Sequence, residues 1–231
     1  MTSLHALFEQ AEALLLDFDG PVCKLFAGYP AQEAADEIRS LLGDHQDQLP
    51  EHLKHGPDPL KLVRWIGANT PQLLPTAEQA LARAESRAAE SATPTPHADA
   101  MIRATAESGR PVVMVSNNSA EAIWRYLRAH GLDQHIRAVV GRDPQHPDQM
   151  KPDVRPILRA AQEAGVPSDR CLLIGDTPTD IEAAEKAGTP TIGYAKRESR
   201  VHELGAVGAD VVVESIALLA EAAGALQLDS Q

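Results

Sequence analysis

The sequence predicts an α/β protein with a Rossmann-like, doubly wound parallel sheet and an inserted all-helical domain. Short apolar runs alternate with helical patterns from Asp99 to the end of the chain. Glycine follows four of these helical patterns, at the position where a left-handed helix C-cap is expected. Between residues 21 and 96 the alternation stops, and only helical patterns remain. Alternating strands and helices place helices on both faces of a parallel sheet through right-handed crossovers.

Six short apolar runs are predicted to form strands that are buried on both faces of the sheet. They comprise residues 14–16, 112–115, 138–140, 171–174, 191–193 and 211–213. The helices between the later strands are predicted at residues 99–108, 120–130, 154–164 and 179–187. A short amphipathic helix is predicted over residues 1–13, where Glu9 and Glu12 argue against a signal peptide.

The inserted domain is predicted to follow the first strand. Its helical patterns lie at residues 32–42, 58–66 and 77–91, and no strand-like run is visible among them. A Pro- and Thr-rich connector at residues 91–96 predicts the end of the insertion. We therefore predict an α/β core at residues 1–20 and 97–231 and a helical domain at residues 21–96.

Charge and composition exclude several classes of protein. The 231 residues include 33 acidic and 21 basic side chains, so the formal net charge is −12. A field of that sign repels nucleic acid and anionic membrane surfaces. No apolar run approaches the roughly 20 residues that cross a bilayer. Cys23 and Cys171 are too few for a disulfide framework. These features predict a cytoplasmic protein, monomeric or homodimeric, that binds neither nucleic acid nor membranes.

Functional side chains follow the predicted strands, at the sheet edge where open α/β proteins bind ligands. The set consists of Asp17, Asp19, Ser116, Asn117, Asp176 and Asp180, together with Lys151 from the segment before a later helix. Clustered carboxylates repel one another and need a cation, and hard oxygen ligands suit Mg²⁺. Mg²⁺ in turn recruits phosphate oxygens, while a lysine and a serine hydroxyl can hold the others.

Two neighbouring acids, Asp17 and Asp19, suit phosphoryl transfer. A carboxylate held against phosphorus can attack it and form an acyl phosphate. A second carboxylate two residues away can protonate the leaving group and then activate water. The residues alone therefore predict phosphoryl transfer through an aspartyl phosphate.

The chain resembles the haloacid dehalogenase superfamily on all four of its motifs, in order. The matching segments are Leu-Leu-Asp-Phe-Asp-Gly at residues 15–20, Val-Ser-Asn at 115–117, Lys-Pro at 151–152 and Ile-Gly-Asp-Thr-Pro-Thr-Asp at 174–180. The layout is similar to the group that includes phosphoglycolate phosphatase and β-phosphoglucomutase. In that group a helical cap follows the first motif, closes over the site and selects the substrate.

The resemblance implies a role for each motif residue around Mg²⁺. Asp17 is implied to be the nucleophile and a metal ligand, and Asp19 the general acid and base, with its backbone carbonyl on the metal. Asp176 is implied to bind the metal, and Asp180 to hold either the metal's water shell or Lys151. Asp17, Asp19, Asp176 and Asp180 thus form the expected metal set.

The resemblance also implies how the phosphoryl group is bound. Ser116 contacts it, helped by backbone N–H groups that include that of Asn117, and Lys151 neutralises charge on the phosphate and on Asp17. One position departs from the family pattern, because Pro21 stands where threonine is common. Pro21 removes a backbone donor and a hydroxyl that could brace the loop of Asp19.

The implied activity is that of a Mg²⁺-dependent phosphatase acting on a small phosphorylated metabolite. Phe26, Tyr29 and Arg64 are candidates for the wall of the substrate cleft, whereas Trp65 is expected in the core of the cap. A phosphomutase of the β-phosphoglucomutase type shares every core motif. A phosphonoacetaldehyde-type C–P hydrolase would need a cap lysine, and Lys24, Lys54 and Lys61 are available. An idle phosphate-binding module is the alternative outside enzymes.

Overall fold

The computed structural model describes residues 3–228 and the side chains of residues 3–224. The strands in this range are β1 (Ala13–Leu16), β2 (Cys23–Lys24), β3 (Thr93–Pro94), β4 (Val112–Val115), β5 (Ala138–Val140), β6 (Cys171–Gly175), β7 (Thr191–Tyr194) and β8 (Val211–Val213). Six of them form one parallel sheet in the order β5-β4-β1-β6-β7-β8. All six strands predicted from apolar runs are present, and the parallel α/β class is confirmed.

The helices alternate with the strands of the large sheet, except between β2 and β3. They are α1 (Leu4–Gln10), α2 (Ala31–Ser40), α3 (Glu51–Lys54), α4 (Pro59–Asn69), α5 (Leu74–Glu90), α6 (Ala98–Glu107), α7 (Ala120–Ala129), α8 (Arg155–Ala164), α9 (Pro178–Ala187), α10 (Glu198–Ala206) and α11 (Ile216–Leu228). None of the helices in residues 3–228 is both long enough and apolar enough to span a bilayer.

The core has two halves because successive side chains of a strand point to opposite faces. Leu14 and Leu16 of β1 belong to the cluster that packs against α6, α7 and α11. Ala13 and Leu15 belong to a second cluster, which includes Ile157 of α8 and residues of α9. The central strand is therefore buried on both faces, as its unbroken apolar run predicts.

Glycine ends α8 and α9 in the predicted way. Gly165 and Gly188 are their C-caps and adopt left-handed conformations, with φ of +74° and +67°. Gly109 and Gly131, one residue beyond the C-caps of α6 and α7, also have positive φ, of +84° and +61°. A side chain with a Cβ would be strained in this region.

The N-terminal helix is shorter than predicted. It ends at Gln10, and Ala13 already belongs to β1, paired with Cys171 of β6. The N–H of Glu12 donates to the carbonyl of Arg170, so the chain joins the sheet before the amphipathic pattern ends. The first two residues of the predicted helix lie outside the described part of the chain.

A helical segment lies between β2 and β3 and has a hydrophobic cluster of its own, which includes Ile38, Leu62 and Leu81. The prediction that this segment holds no strand is wrong at its ends. Cys23 and Lys24 pair antiparallel with Pro94 and Thr93, where the chain leaves and re-enters the α/β core. The exact division into two domains stays a prediction, and its outer ends, residues 1–2 and 229–231, are not described.

Candidate active site

Lys151 and Asp17 form the centre of the site. Asp17 directly follows β1, and its N–H donates to the carbonyl of Ile174 on the neighbouring strand β6. The Lys151 ammonium donates to Asp17 Oδ1 at 2.9 Å and to the carbonyl of Val115 at 2.8 Å. It also forms an ion pair with Asp180 Oδ1 at 2.5 Å. One buried ammonium thus connects the ends of β1 and β4 with the start of α9.

Three carboxylates converge beside this ammonium. Asp17, Asp176 and Asp180 each offer an oxygen, and these oxygens lie within 4.8 Å of one another. Asp176 Oδ1 is buried and has no hydrogen-bond partner among the described residues. Gly20 leaves room for this carboxylate, because a Cβ at Gly20 would lie 2.4 Å from it. A set of hard oxygen donors with one unpartnered buried oxygen fits a hard divalent cation such as Mg²⁺.

Asp19 stands apart from the three converging carboxylates. Its Oδ1 accepts a hydrogen bond from the N–H of Leu25 at 3.0 Å, and its side chain lines the same cleft as Asp17. The metal role that the family resemblance implies for the backbone carbonyl of Asp19 stays a prediction. The position of its carboxylate is suited to proton transfer into the cleft.

Burial shifts the protonation equilibria of the site. It raises the pKa of Asp17, with Asp180 and Asp176 adding to the rise and Lys151 opposing it. It also raises the pKa of Asp19 and of Asp176. Burial alone would lower the pKa of Lys151, but Asp17 and Asp180 hold it above its usual value. A buried carboxylate cluster with this electrostatic balance favours the binding of a further cation.

Asp180 is held at the start of α9 through both of its oxygens. The N–H of Thr177 donates to Asp180 Oδ2 at 3.0 Å as part of the capping box of the helix, and the Thr177 hydroxyl donates to the same oxygen at 2.7 Å. The other oxygen pairs with Lys151. The resemblance implies that Asp180 holds either the metal's water shell or Lys151, and the structure shows the contact with Lys151. The Asp180 carboxylate also caps the start of α9.

Ser116 and Asn117 lie at the end of β4, the strand next to β1 in the sheet. The Ser116 hydroxyl is buried and donates to Asn118 Oδ1 at 3.1 Å. The side chain of Asn117 pairs with the backbone of Lys151, at 2.9 Å from the Lys151 N–H and 3.2 Å from its carbonyl. The Asn117 side chain therefore positions the loop of Lys151, and only its backbone N–H is left for the predicted phosphate contact.

Sequence reasoning missed Lys196. This residue follows β7, and its ammonium lies 2.8 Å from Asp176 Oδ2. Lys196 belongs to none of the four motifs, so the motifs alone do not predict it. A usable signal was present, because β7 ends at the same sheet edge as β1, β4 and β6. Sequence reasoning also missed a buried group formed by Glu78, Glu85 and Arg142, which contacts the residues after β4.

The site opens into a cleft of about 440 Å³ beneath the helical segment. Phe26, Lys61 and Arg64 contribute to its wall. The predicted positions of Phe26 and Arg64 in the wall are therefore confirmed. The Arg64 guanidinium donates to the carbonyl of Lys151 at 3.3 Å. Tyr29 is instead engaged by Arg87, which donates to the Tyr29 hydroxyl. Trp65 packs against the cluster of the helical segment, as expected.

Pro21 lies in a turn whose hydrogen bonds come from its neighbours. The Gly20 N–H donates to the carbonyl of Cys23, and the Val22 N–H donates to that of Phe18. The hydroxyl of Thr95, on the returning chain, donates to the Gly20 carbonyl at 2.7 Å. Thr95 therefore braces the loop of Asp19 without a hydroxyl at position 21.

Known proteins share this sequence pattern. The sequence model of the haloacid dehalogenase-like hydrolase family matches residues 11–188. A phosphoglycolate phosphatase of Escherichia coli K12 is 27% identical over 136 residues, which cover 59% of this chain and 53% of that protein. A phosphoglycolate phosphatase of Rhodospirillum rubrum is 33% identical over 114 residues, covering 48% and 46%. The chain thus spans about half the length of the curated relatives that it matches.

Solved structures share the fold. A haloacid dehalogenase family hydrolase of Deinococcus radiodurans, solved with bound phosphate and sodium, has a TM-score of 0.60 and 22% identity, covering 94% of this chain and 97% of that one. CbbY of Rhodobacter sphaeroides, solved with phosphate, has a TM-score of 0.67 and 18% identity, covering 90% and 96%. With the motif residues gathered at one sheet edge and the family match spanning most of its length, the chain belongs to the haloacid dehalogenase-like hydrolases.

Proposed function

We propose that this protein is a Mg²⁺-dependent phosphatase that hydrolyses a small phosphomonoester through an aspartyl phosphate on Asp17. The observation that carries the proposal is the contact of Lys151 with Asp17 beside two further carboxylates, in a cleft that Ser116 also lines. This arrangement offers a nucleophile, a fixed cation and a phosphate contact at one point.

The proposed reaction has two displacements at phosphorus. In the first, an Asp17 oxygen attacks the phosphorus, the bond to the leaving oxygen breaks, and Asp19 gives that oxygen a proton. In the second, Asp19 takes a proton from water while the water oxygen attacks the aspartyl phosphate. The bond to Asp17 then breaks, which releases inorganic phosphate and restores the Asp17 carboxylate and the protonated form of Asp19.

The buried position of Asp19 supports its role as the acid. A general acid must carry its proton near the working pH, and burial raises the pKa of Asp19 above that of an exposed aspartate. The hydrogen bond from Leu25 fixes one carboxylate oxygen and leaves the other for the leaving group.

Lys151 and Ser116 are proposed to bind the transferring group. Asp180 keeps its own contact with Lys151, so the ammonium stays in place when Asp17 carries the phosphoryl group. The residues that would hold Mg²⁺ are Asp17 and Asp176, with the backbone carbonyl of Asp19. When bound, Mg²⁺ would neutralise charge between the attacking carboxylate and the phosphate oxygens.

A small anionic substrate suits the cleft. Its volume is about 440 Å³, and Lys61 and Arg64 add positive charge to its wall. Several relatives are phosphoglycolate phosphatases. We therefore propose phosphoglycolate as the first substrate to test, followed by sugar phosphates.

The test is hydrolysis of phosphoglycolate and of p-nitrophenyl phosphate by the wild type and by Asp17→Asn, with Mg²⁺ or with EDTA. We expect Mg²⁺-dependent release of phosphate that the variant loses. Asp169→Asn changes an exposed acid that lies outside the motifs and is the matched control. Absence of turnover on every phosphomonoester tested would contradict the proposal, and transfer to an added sugar would favour a phosphomutase.

The position of Lys61 supports a second candidate function, that of a C–P hydrolase. Lys61 lines the cleft, where its ammonium lies 3.5 Å from Asp58 Oδ2, whereas Lys54 pairs with Glu51 and is not part of the cleft wall. A C–P hydrolase of the phosphonoacetaldehyde type would form an imine between this amine and the substrate aldehyde. Borohydride reduction in the presence of phosphonoacetaldehyde would then label Lys61 covalently, and an unlabelled protein would exclude this function.

A further inference from the structure

A buried ion network joins the helical segment to the α/β core. Arg142, in the loop after β5, has a side chain only 1% exposed. Its Nε lies 2.9 Å from Glu78 Oε2, and its Nη1 lies 2.8 Å from Glu85 Oε1. Glu78 and Glu85 stand two turns apart on α5 and therefore share a face of that helix. The network spans the boundary between the two parts of the chain.

Stability alone is a poor explanation for this network. Charges lose hydration when they are buried, and well-packed apolar residues of similar volume are often at least as stabilising as a buried ion pair. Glu85 is fully buried, and both of its oxygens are engaged. A network of this kind is more informative about geometry, because each charged group restricts the position of its partners.

The same groups hold the three residues that follow Ser116. Arg142 Nη1 donates to the carbonyl of Asn117 at 2.7 Å. Glu85 Oε1 accepts from Asn118 Nδ2 at 3.1 Å, and Glu85 Oε2 accepts from the N–H of Ser119 at 2.9 Å. The turn at residues 117–119 is thus fixed to the network at three points.

The contact with Glu85 determines how the amide of Asn118 is oriented. An ionised carboxylate only accepts hydrogen bonds, so it draws the NH₂ group of Asn118 and leaves Oδ1 on the opposite side. That oxygen faces the Ser116 hydroxyl at 3.1 Å. A continuous chain of contacts therefore runs from Glu85 through Asn118 to the hydroxyl proposed to bind phosphate.

We propose that Glu85 and Arg142 are positioning residues for phosphate binding, acting through the turn that carries Ser116, Asn117 and Asn118. This inference rests on the proposed function, in which Ser116 contacts the transferring phosphoryl group. Through Arg142 and Asn117 the network also reaches the backbone of Lys151. The helical segment thus determines the geometry of the phosphate site in addition to covering it.

Glu78 provides a matched control within the same network. Its hydrogen bonds in the described part of the chain go to Arg142 and none goes to the turn. Glu85→Gln replaces one acceptor oxygen by a donor, so the new side chain cannot accept from Asn118, Ser119 and Arg142 together. Glu78→Gln makes the same chemical change on the same helix without touching the turn.

The experiment compares Glu85→Gln and Glu78→Gln, each in the wild-type and in the Ser116→Ala background. Steady-state kinetics give kcat/KM, and calorimetry gives the affinity for inorganic phosphate. We expect Glu85→Gln to lower kcat/KM about 10- to 100-fold and to weaken phosphate binding, as misplacement of a binding group by about 1 Å does. Glu78→Gln should change either value by less than about threefold. In the Ser116→Ala background, Glu85→Gln should lose most of its effect.

Asn118→Ala is the second variant, since it cuts the chain of contacts and leaves Glu85 paired with Arg142. If Glu85→Gln fails to unfold cooperatively, Asn118→Ala replaces it in the comparison. The effect of Asn118→Ala on kcat/KM and on phosphate affinity should likewise be mostly lost in the Ser116→Ala background. Equal effects of Glu85→Gln and Glu78→Gln, or effects that simply add to that of Ser116→Ala, would overturn the inference while leaving the phosphatase proposal intact. A wild type that neither hydrolyses phosphomonoesters nor binds phosphate would overturn both.

Discussion

Lys151 Nζ lies 2.9 Å from Asp17 Oδ1, although 134 positions separate the two residues in the sequence. The same ammonium contacts Asp180, so a single cation holds two buried carboxylates together. Burial raises the pKa of Asp17, and the Lys151 ammonium beside it opposes that rise. The site therefore depends on Lys151 for its shape as well as for its charge.

Lys151→Met is expected to lower the free energy of unfolding by about 3–5 kcal/mol in the absence of divalent ions, because it leaves buried carboxylates without their partner. Urea unfolding measures the change. Added Mg²⁺ should restore part of the loss, since a cation can replace the missing charge. Lys54→Met removes an ammonium whose partner Glu51 is exposed and should change stability by less than about 0.5 kcal/mol. Equal losses in the two variants would contradict the central role of Lys151.

Lys196→Met is expected to tighten the binding of Mg²⁺ by about tenfold, because it removes a positive charge near the carboxylate cluster. The Lys196 ammonium lies 2.8 Å from Asp176 Oδ2 and opposes the approach of a second cation. Calorimetric titration with MgCl₂ measures the affinity, again with Lys54→Met as the control. Weaker binding would mean that Lys196 holds Asp176 in its ligating orientation instead.

Asp19→Asn is expected to lower the reaction rate most for substrates with poor leaving groups. An alkyl phosphate needs a proton on its departing oxygen, whereas p-nitrophenolate leaves without one. The loss in the rate of aspartyl phosphate formation should therefore be at least about tenfold larger for phosphoglycolate than for p-nitrophenyl phosphate. Single-turnover kinetics measure that step alone. Equal losses for the two substrates would assign Asp19 a role other than that of the acid.

The two cysteines are expected to resist thiol reagents in the folded protein. Burial raises the pKa of Cys171 to about 11 and also raises that of Cys23, which lies near Asp19. At pH 8 the thiolate fraction of Cys171 is then only about one in a thousand, and thiolates are the reactive form. Labelling with a disulfide reagent should be slow from pH 7 to 9 and complete on unfolding. Rapid labelling of either cysteine at pH 8 would contradict its burial.

Sequence predicted the features that repeat or that lie in motifs. The strand at residues 112–115 is an unbroken apolar run, and burial on both sheet faces is what such a run predicts. Asp17, Lys151 and Asp180 are predicted site residues because each lies near the end of a predicted strand or the start of a predicted helix. Parallel strands direct those ends to one edge, so the sequence predicts that residues far apart along the chain lie close together.

The features that the sequence does not predict depend on single contacts, which leave no periodic pattern in the sequence. β2 and β3 are two residues long, so neither shows an alternation, and their pairing follows from the geometry of the chain leaving and re-entering the core. Glu85 and Arg142 are isolated charges 57 positions apart, and nothing in their neighbourhoods distinguishes them from solvated residues. Only the packing of α5 against the core shows that they are buried and paired.

The most direct test of the account is to locate the phosphoryl group during turnover. Acid quenching in the first turnover, followed by peptide mass spectrometry, should find one phosphoryl group on Asp17. Hydroxylamine should remove it, as expected of an acyl phosphate, and Asp17→Asn should carry none. Turnover that continues in Asp17→Asn, or a phosphoryl group found on another residue, would contradict the assignment of Asp17 as the nucleophile.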